Sequence, residues 1–347
     1  MFLVRQAIVE DCTSLTKLAQ MLAPSAGWGS EDVAAAIERS DDSFAGRISG
    51  ALRRRFIFVL EDTETGSPVG AVSLHSCVSR PGHALVYFLM RRHRCYSDDL
   101  QTGHEHVTLQ LQSDEAPRSE IARLILAPPY RGHRERPASL LTFACFHFIG
   151  LHRNWFADTL IAHLPPPRVL EQEHAFWQAL GRRFVNLPLS EALRVRTASR
   201  EFLPSLVPST EIHLALLPAA VRRIVGRVAE EAVSAEALLK KAGFIDAASI
   251  DPFDGGPILH AAAGGIPIVA GTRTTTVGDP AERYPGFGLI STAGGGQFRA
   301  VGSAYAEHEH RASVSIPADT AGLLGLHVGD TVGVAPLALA SVPVTPE

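Results

Sequence analysis

The amino-acid sequence predicts an α/β protein, in which a mixed, mostly antiparallel sheet has flanking helices and is followed by a C-terminal helical and β-rich region. Three observations predict this class. Apolar segments with strand character alternate with segments of helical apolar spacing along the first part of the chain. Turn residues join two of the strands directly, which is typical of an antiparallel hairpin. Beyond about residue 205, the chain becomes rich in glycine and β-forming residues.

In the first 127 residues, apolar side chains recur about every two residues in some segments and about every 3.6 residues in others. These two periods distinguish strands from helices. They are predicted in this order: a strand over Phe2–Ala7, a helix over Glu10–Met21, a helix from Ser30 to about Ile48, and strands over Arg55–Glu61, Val69–Leu74, Ala84–Met90, Glu105–Gln112 and Glu120–Ala127. Ser30 is a suitable N-cap with acidic residues after it. The turn residues Asp62–Ser67 predict a hairpin. The continuous apolar character of the last strand predicts burial on both of its faces.

The segments after this strand are predicted from the same patterns. They are a helix over Pro137–Leu151, a strand over Asp158–Leu164, a helix over Glu171–Leu180, a strand or strand-like link over Phe184–Leu189, helices over Pro218–Glu231 and Ser234–Ala242, and a turn and strand over Leu323–Val334. Three glycine-rich pieces predict turns between short strands, namely Gly264-Gly265, Gly286-x-Gly288 and Gly294-Gly295-Gly296. We expect two domains, residues 1–204 and residues 205–347, and a frayed C-terminal tail.

Composition excludes several classes of function. The chain has 347 residues, a net charge of −4 and 46% hydrophobic residues, which is ordinary for a soluble globular protein. This charge disfavours a partner that is nucleic acid or an anionic membrane. No apolar run approaches the roughly 20 residues of a membrane helix, and the N-terminus does not have the pattern of a signal peptide.

Cysteine and histidine usage predicts neither a disulfide framework nor a metal site. The four cysteines are scattered, which is typical of reduced thiols in a cytoplasmic protein. The pairs His104/His106 and His308/His310 each share one face of a strand, yet no third ligand follows at a recognisable spacing. We therefore expect surface histidines and no metal.

The segment from Leu124 to Leu141 carries the clearest functional signal. It combines a buried strand, a Pro-Pro exit, a basic loop and the start of an apolar helix. Such an arrangement points backbone N–H groups at whatever lies over the helix N-terminus, where anions bind. The segment resembles the coenzyme-A pyrophosphate loop of the GCN5-related N-acyltransferases, which usually reads Arg-x-x-Gly-x-Gly/Ala. The match begins with Tyr130, Arg131 and Gly132, and arginine stands at both of the expected glycine positions, Arg134 and Arg136.

Four blocks of the chain carry a closer resemblance. They are the hairpin Phe56–Ala71, the Phe-Trp-Gln-Ala-Leu-Gly-Arg-Arg-Phe block Phe176–Phe184, the Leu-Leu-Lys-Lys-Ala-Gly-Phe block Leu238–Phe244, and the Ile-Asp-Pro-Phe-Asp-Gly-Gly-Pro block Ile250–Pro257. On these blocks, the chain resembles the bacterial arginine N-succinyltransferases over nearly its whole length. The last block is the most specific, because a Phe-Asp-Gly-Gly-Pro run after a Gly-Phe strand start is hard to obtain by chance.

The resemblance implies a GCN5-related N-acyltransferase-like fold and direct acyl transfer. The co-substrate would be succinyl-CoA or another acyl-CoA, with no permanently bound cofactor, and the acceptor would be arginine or a related small-molecule amine. Main-chain groups of Leu124, Ile125 and Leu126 would pair with the pantetheine arm. The loop residues that would bind the coenzyme are Arg131, Gly132, His133, Arg134 and Arg136. A homo-oligomer, or a hetero-oligomer with a paralogue, is also implied.

The two loop arginines leave two hypotheses open. A glycine lets the backbone approach a pyrophosphate without obstruction, whereas Arg134 and Arg136 could pair with phosphate through their guanidinium groups. Alternatively, both arginines point to solvent from a loop that no longer binds coenzyme A.

The resemblance also indicates positions for the acid or base and for the substrate. The family's proton-donor histidine aligns with Ala229, so the catalytic residue is unknown. Glu230 and Glu231 are weak candidates, which would need burial to raise the pKa; a solvated helix surface is the alternative. Candidates for holding a cationic substrate are Glu171, Glu173, Trp177 and Asp254.

Two functions therefore compete. The first is an active acyl-CoA-dependent N-acyltransferase, by resemblance an arginine N-succinyltransferase. The second is a catalytically degenerate homologue that acts as a regulatory or structural subunit, because fold alone does not fix function. A nucleic-acid binder is a weak third interpretation, since no aromatic residues interleave the arginine clusters.

Overall fold

A computed structural model of the protein describes residues 1–22, 30–48, 54–169, 174–199, 201–293, 297–308 and 313–337. The chain forms two compact units. The first contains Met1–Cys77, Ser119–Asp158 and Ala263–Glu347, and the second contains Val78–Arg118 and Thr159–Ala262. The predicted boundary between residues 204 and 205 falls inside the second unit. Compactness does not test which segments fold independently, so the two predicted domains stay a prediction.

The strands of the described residues are numbered in chain order. They are β1 (Phe2–Gln6), β2 (Arg55–Asp62), β3 (Ser67–Ser79), β4 (Leu85–Ser97), β5 (Thr102–Asp114), β6 (Arg118–Leu126), β7 (Thr159–His163), β8 (Ile212–His213), β9 (Ile245–Ile250), β10 (Pro257–Ala262), β11 (Arg273–Val277), β12 (Gly286–Thr292), β13 (Arg299–His308), β14 (Ser313–Ser315) and β15 (Thr331–Pro336).

The α-helices are numbered in the same way. They are α1 (Cys12–Leu22), α2 (Ser30–Phe44), α3 (Pro137–Leu151), α4 (Arg182–Val185), α5 (Leu189–Ala198), α6 (Phe202–Leu206), α7 (Ala219–Arg222), α8 (Val233–Lys241), α9 (Pro267–Gly271) and α10 (Ala318–Leu324). Among the described residues, none of the helices has the length and the apolar composition of a membrane span.

The first unit contains a small closed barrel that continues into an open sheet. Its strand order is β12-β15-β11-β14-β13-β1-β2-β3-β6, and an additional pairing between β12 and β13 closes the first five strands into a ring. The β11–β14 pair is parallel, whereas the other pairs of the ring are antiparallel. Closure removes the exposed strand edges that a β-rich module would otherwise present.

Apolar side chains fill this barrel. The buried members of its core are Leu3, Val277, Ile290, Val301, Tyr305, Val314, Ile316, Leu324, Val332 and Val334. Most are β-branched, and such side chains pack well on a pleated surface. The predicted β-rich C-terminal region is therefore a barrel whose strand β13 also pairs with β1 at the start of the chain.

Two helices cover one face of the open sheet. Buried residues of α1 and α2 pack against Ile57, Val59 and Ala71. One end of β2 extends beyond β1. There, the backbone N–H of Ile57 donates to Ser40 Oγ at 2.8 Å, and the backbone N–H of Arg55 donates to Ser43 Oγ at 3.0 Å. The serines of α2 thus satisfy amides that no neighbouring strand reaches.

Helix α3 packs through an aromatic cluster and a buried histidine. Phe148 contacts Phe56 and Phe58 with ring centroids 4.8 and 5.3 Å apart. His147 lies between Thr272 Oγ1 at 2.9 Å and Ser291 Oγ at 2.8 Å. Burial lowers the pKa of His147 to about 3, so the ring is neutral and anchors α3 structurally.

The second unit is an antiparallel sheet in the order β7-β10-β9-β4-β5-β8. One face carries the buried side chains Val86, Phe88, Leu109, Leu111 and Ile250, and helices between residues 175 and 225 cover it. The alternation of apolar and polar residues along β4 and β5 produces this one-sided burial.

Several predicted elements need correction. The strand or strand-like link predicted over Phe184–Leu189 is helical at both ends, because α4 runs to Val185 and α5 begins at Leu189. The predicted helix Pro218–Glu231 is reduced to the four residues of α7, followed by turns. Gly286 and Gly288 lie inside β12, and Gly264-Gly265 leads into α9 instead of a hairpin.

Candidate functional site

The loop between β6 and α3 is a compact turn built on two left-handed residues. Ala127 N–H donates to Val69 O at 2.8 Å, after which the chain leaves the sheet. Gly132 has φ 74° and Arg136 has φ 48°, a region that glycine enters without the steric cost that other residues meet. Pro137 then begins α3 at a position where its missing N–H costs nothing.

This loop leaves backbone donors open at the N-terminus of a 15-residue helix. The N–H groups of Gly132, Arg134 and Ala138 have no acceptor among the described residues. The Glu135 N–H is already used, because it donates to His133 Nδ1 at 3.3 Å. Unpaired amides at a helix N-terminus carry partial positive charge, so this end of α3 is suited to an anion.

The predicted loop side chains differ in their contacts and their exposure. Arg131 Nε donates to Leu126 O at 3.2 Å, which ties this arginine to the end of β6. The half-buried His133 packs edge-on against Phe2 at 5.4 Å and shapes the loop. Arg134 and Arg136 are exposed, so both guanidinium groups stand at the surface beside the open amides.

Strand β6 contains a bulge next to the predicted pantetheine segment. Glu120 contacts His75, and Ile125 packs in the cluster that includes Ala71. His75 and Ala71 lie on one face of β3, so Glu120 and Ile125 also share a face although they are five residues apart. A regular strand would put them on opposite faces. Arg123, with φ 58°, absorbs the extra residue.

The pantetheine segment itself has close neighbours on β3. A Cβ atom at Gly70 would lie 2.9 Å from Ile125 O and 3.1 Å from Leu126 Cδ1, so only glycine fits there. Leu124 and Ile125 are half-buried, and Leu126 is buried.

A chain of polar contacts lies on the face of Glu120. Arg55 and His75 are directly opposite in the β2–β3 register, and Arg55 Nε lies 2.9 Å from His75 Nε2. His75 Nδ1 lies 3.0 Å from Glu120 Oε2. Because a guanidinium group only donates, His75 accepts at Nε2 and donates its Nδ1 proton to Glu120.

Two arginines of this region have a lowered pKa. The pKa of Arg55 is lowered by burial and then by the charge of Arg39, against the opposing effect of Glu120. The pKa of Arg123 is lowered to about 10 by burial and then by the charge of Arg55. The Arg123 side chain is exposed, and with a pKa of about 10 the guanidinium group stays protonated at neutral pH.

The second unit contains the Asp-Pro-Phe-Asp-Gly-Gly-Pro turn. Asp251 Oδ1 accepts from Phe253 N–H at 2.7 Å, and Asp254 Oδ1 accepts from Gly256 N–H at 2.7 Å. Gly255 has φ 79°. Each residue type in the block therefore has a local structural reason, which is turn formation.

The two carboxylates of this turn lie beside two basic groups. Asp251 Oδ2 is 3.5 Å from His163 Nδ1 and 3.6 Å from Arg196 Nη1. The pKa of Asp254 is raised to about 7, first by burial and then by the charge of Asp251. Asp254 is thus a carboxyl group whose negative charge has too little compensation, and a further cation beside it would stabilise the ionised form.

The other predicted site residues are dispersed. Trp177 is fully buried and belongs to the core of the second unit, so its ring is not a substrate surface. Ala229 is buried, and its N–H donates to Pro165 O at 2.8 Å. Glu230 and Glu231 are exposed on a short turn before α8. The predicted residues Glu171 and Glu173 lie outside the described residues.

Comparison with known proteins decides the family. A family model described as the beta subunit of arginine N-succinyltransferase matches residues 2–267 of the chain. The chain belongs to the arginine N-succinyltransferase family. The family blocks at Phe176 and Ile250 both fall within the matched range.

Individual relatives agree with this family. The arginine N-succinyltransferase of Photorhabdus laumondii is 31% identical over 242 residues, which cover 70% of this chain and 69% of the relative. That of Shigella boydii is 30% identical over 259 residues, covering 72% of each chain.

A solved structure of the family has the same fold. The arginine/ornithine succinyltransferase subunit AI from Pseudomonas aeruginosa has a TM-score of 0.73 and 25% identity, and the match covers 97% of this chain and 99% of that one. The prediction of a mixed, mostly antiparallel sheet with flanking helices is confirmed.

Sequence reasoning missed the cluster of Arg55, His75, Glu120 and Arg123. The pairing of Arg55 with His75 could have been found in the sequence, because the two residues lie at similar distances from the hairpin turn and therefore face each other. Two charged residues within the predicted buried strand β6 were a second signal, since a buried charge needs a partner.

Proposed function

We propose that the protein is an acyl-CoA-dependent N-acyltransferase that converts succinyl-CoA and L-arginine to N2-succinylarginine and CoA. Membership of the arginine N-succinyltransferase family supports the donor, the acceptor and the type of reaction. The name of the Pseudomonas aeruginosa structure adds ornithine as a second amine to test.

The reaction is a direct transfer that needs no resident cofactor. The neutral α-amine attacks the thioester carbonyl carbon, so that a C–N bond forms and the carbonyl oxygen becomes an oxyanion. Backbone N–H groups can stabilise that charge. The C–S bond then breaks, and the proton lost from the amine balances the one taken up by the CoA thiolate.

The open amides over α3 are the observation that carries the donor half of this proposal. Gly132, Arg134 and Ala138 present N–H groups to one helix end, and the Arg134 and Arg136 side chains stand beside them. The pyrophosphate of coenzyme A is the matching anion. Leu124–Leu126 then lie where the pantetheine arm would continue along β6.

The acidic turn of the second unit supports the acceptor half. Asp254 has an undercompensated carboxylate, and the guanidinium of arginine or the side-chain ammonium of ornithine would supply the missing positive charge. We therefore assign Asp254 to the binding of the cationic acceptor.

Further proposed properties are the oligomeric state, the localisation and the partners of the protein. The names of the relatives refer to subunits, which supports a homo-oligomer or a hetero-oligomer with a paralogue. We also propose a cytoplasmic protein without a nucleic-acid partner, on the strength of the scattered cysteines and the net charge of −4. The comparisons do not favour a degenerate, purely structural homologue.

Calorimetry and a thiol-release assay test the proposed function. We expect succinyl-CoA to bind to the full-length protein, and arginine to release free CoA from succinyl-CoA with formation of the N2-acyl product. Arginine, ornithine, lysine and agmatine form the acceptor panel. An absence of binding at millimolar succinyl-CoA, together with no thiol release for any amine, would refute the proposal.

A further inference from the structure

The cluster formed by Arg55, His75, Glu120 and Arg123 has no role in the binding of coenzyme A or of the acceptor as assigned above. We propose that Arg55 and Arg123 bind the terminal carboxylate of the succinyl group, while His75 and Glu120 position Arg55. The inference rests on the proposed function, because it concerns which acyl-CoA that reaction uses. It makes these arginines specificity-determining residues for a dicarboxylic acyl donor.

The charges of the cluster are the first support. The charge of Arg55 acts on Arg123 and that of Arg39 acts on Arg55, while the carboxylate of Glu120 opposes both effects. Partly desolvated like charges repel each other. An anion between Arg55 and Arg123 would relieve this repulsion and would accept charge-assisted hydrogen bonds.

The orientation of Arg55 is the second support. Its Nε is committed to His75, and Glu120 in turn holds His75 from the other side. The two terminal nitrogens of Arg55 have no acceptor among the described residues. A half-buried guanidinium that is fixed at Nε and open at both ends is prepared to form a two-point contact with a carboxylate.

The position along β6 is the third support. The pantetheine arm would run from the loop towards Leu124, and Arg123 is the next residue. A four-carbon acyl chain is about as long as one to two strand residues, at roughly 3.3 Å per residue. The bulge at Arg123 re-aims the strand at the point where the acyl group would begin.

A carboxylate could also come from the acceptor, since arginine has one. The test therefore varies the donor and the acceptor separately. Succinyl-CoA is compared with butyryl-CoA, which has the same chain length and no terminal charge. Arginine is compared with argininamide, which keeps the α-amine and loses the carboxylate.

We expect the ratio of kcat/KM for succinyl-CoA over butyryl-CoA to fall about 10- to 100-fold in Arg123→Gln, the size of one lost charge-assisted contact. Arg55→Met should lower the same ratio. Arg123 is exposed, so the first variant is expected to fold even if the second does not. Arg273→Gln is the matched control, because Arg273 is a surface arginine of the same unit paired with Glu307; its ratio should be unchanged.

Two outcomes would overturn the inference. In the first, kcat/KM falls equally for succinyl-CoA and butyryl-CoA, or does not change for either, so that their ratio stays the same. In the second, the variants alter only the ratio of arginine over argininamide, which would assign the carboxylate to the acceptor. Calorimetric binding of the two acyl-CoAs to the wild type and to Arg123→Gln tests the cluster without turnover, so failure of the inference stays distinguishable from failure of the proposed function.

Discussion

The indole ring of Trp177 lies nearly parallel to the phenyl ring of Phe253, with centroids 5.3 Å apart. The Trp177 Nε1–H donates to Leu187 O at 2.9 Å, so the buried ring has its polar group satisfied. These two rings belong to two of the four sequence blocks that carry the family resemblance. Two ring carbons of Phe176 lie 3.0 Å from where a Cβ atom at Gly255 would stand. The blocks therefore build the core of the second unit, and their specificity concerns folding more than chemistry.

The Gly256→Ala variant tests this structural role. A Cβ atom at Gly256 would overlap the backbone carbonyl oxygen of Leu164, which cannot rotate away as a side chain can. We expect a loss of about 3 kcal/mol or more in the free energy of unfolding and a fall of about 6–12 °C in Tm. Thermal unfolding followed by circular dichroism measures it.

A matched glycine provides the control. The position that a Cβ atom would take at Gly264 has no atom within 4 Å, so Gly264→Ala should change Tm by no more than about 2 °C. Equal effects of the two substitutions would contradict the role assigned to the turn.

The strands before residue 165 could be predicted from the sequence, because strand patterns are local. The hairpin of β2 and β3 is one example, since alternating apolar residues flank a clear turn. The strand or strand-like link predicted over Phe184–Leu189 was wrong at both ends, where the chain is helical. Asn186 adopts φ 56° and ends α4, and the apolar residues around it pack as a helix end instead of as a strand.

The closed barrel of the first unit could not be predicted in the same way. Its closure depends on the pairing of β12 with both β13 and β15, and on the parallel pair β11–β14. Those pairings join segments that are distant in the chain, and nothing in local periodicity specifies them.

The candidate site also has one part that could be predicted from local sequence and one that could not. The anion-binding loop was predictable, because a strand, a Pro-Pro exit and a basic turn precede a helix. The bulge at Arg123 was not, since a left-handed arginine carries no sequence signal. The bulge puts Glu120 and Ile125 on one face of β6, an arrangement that regular strand periodicity does not predict.

Neutralising Glu230 and Glu231 tests whether they take part in catalysis. Both side chains are exposed on a short turn before α8, so a proton-transfer role would lack the burial that tunes a carboxyl group. We expect the double variant Glu230→Gln/Glu231→Gln to keep kcat within about twofold, because surface substitutions are usually tolerated. Steady-state rates with saturating succinyl-CoA and arginine measure it; a fall of more than tenfold would restore these residues as acid or base.

Removing the loop arginines separates phosphate pairing from solvent exposure. If Arg134 and Arg136 contact the pyrophosphate, the double alanine variant should bind succinyl-CoA about tenfold more weakly or worse, and its affinity should depend less on salt. Titration calorimetry at low and high ionic strength gives both quantities.

The control for the loop uses a truncated donor and a distant arginine. A succinyl thioester of N-acetylcysteamine lacks the pyrophosphate, so its kcat/KM should be the same in the wild type and the double variant. Arg94 is 91% exposed on β4, and Arg94→Ala should bind succinyl-CoA as the wild type does. Unchanged affinity in the Arg134/Arg136 variant would assign both arginines to solvent.

The raised pKa of Asp254 predicts how stability depends on pH. The ordinary carboxyl pKa is 3.8 and the folded value is about 7, so between these values the folded state binds more protons than the unfolded state. Stability therefore falls as pH rises from about 4 to 7 and stays lower above 7. Asp254→Asn keeps the oxygen that accepts from Gly256 N–H and cannot ionise. We expect the variant to gain about 3–8 °C in Tm at pH 8 relative to the wild type, and to gain nothing at pH 4. Scanning calorimetry at the two pH values measures the difference, and equal shifts at both would show that the charge of Asp254 is already compensated in the fold.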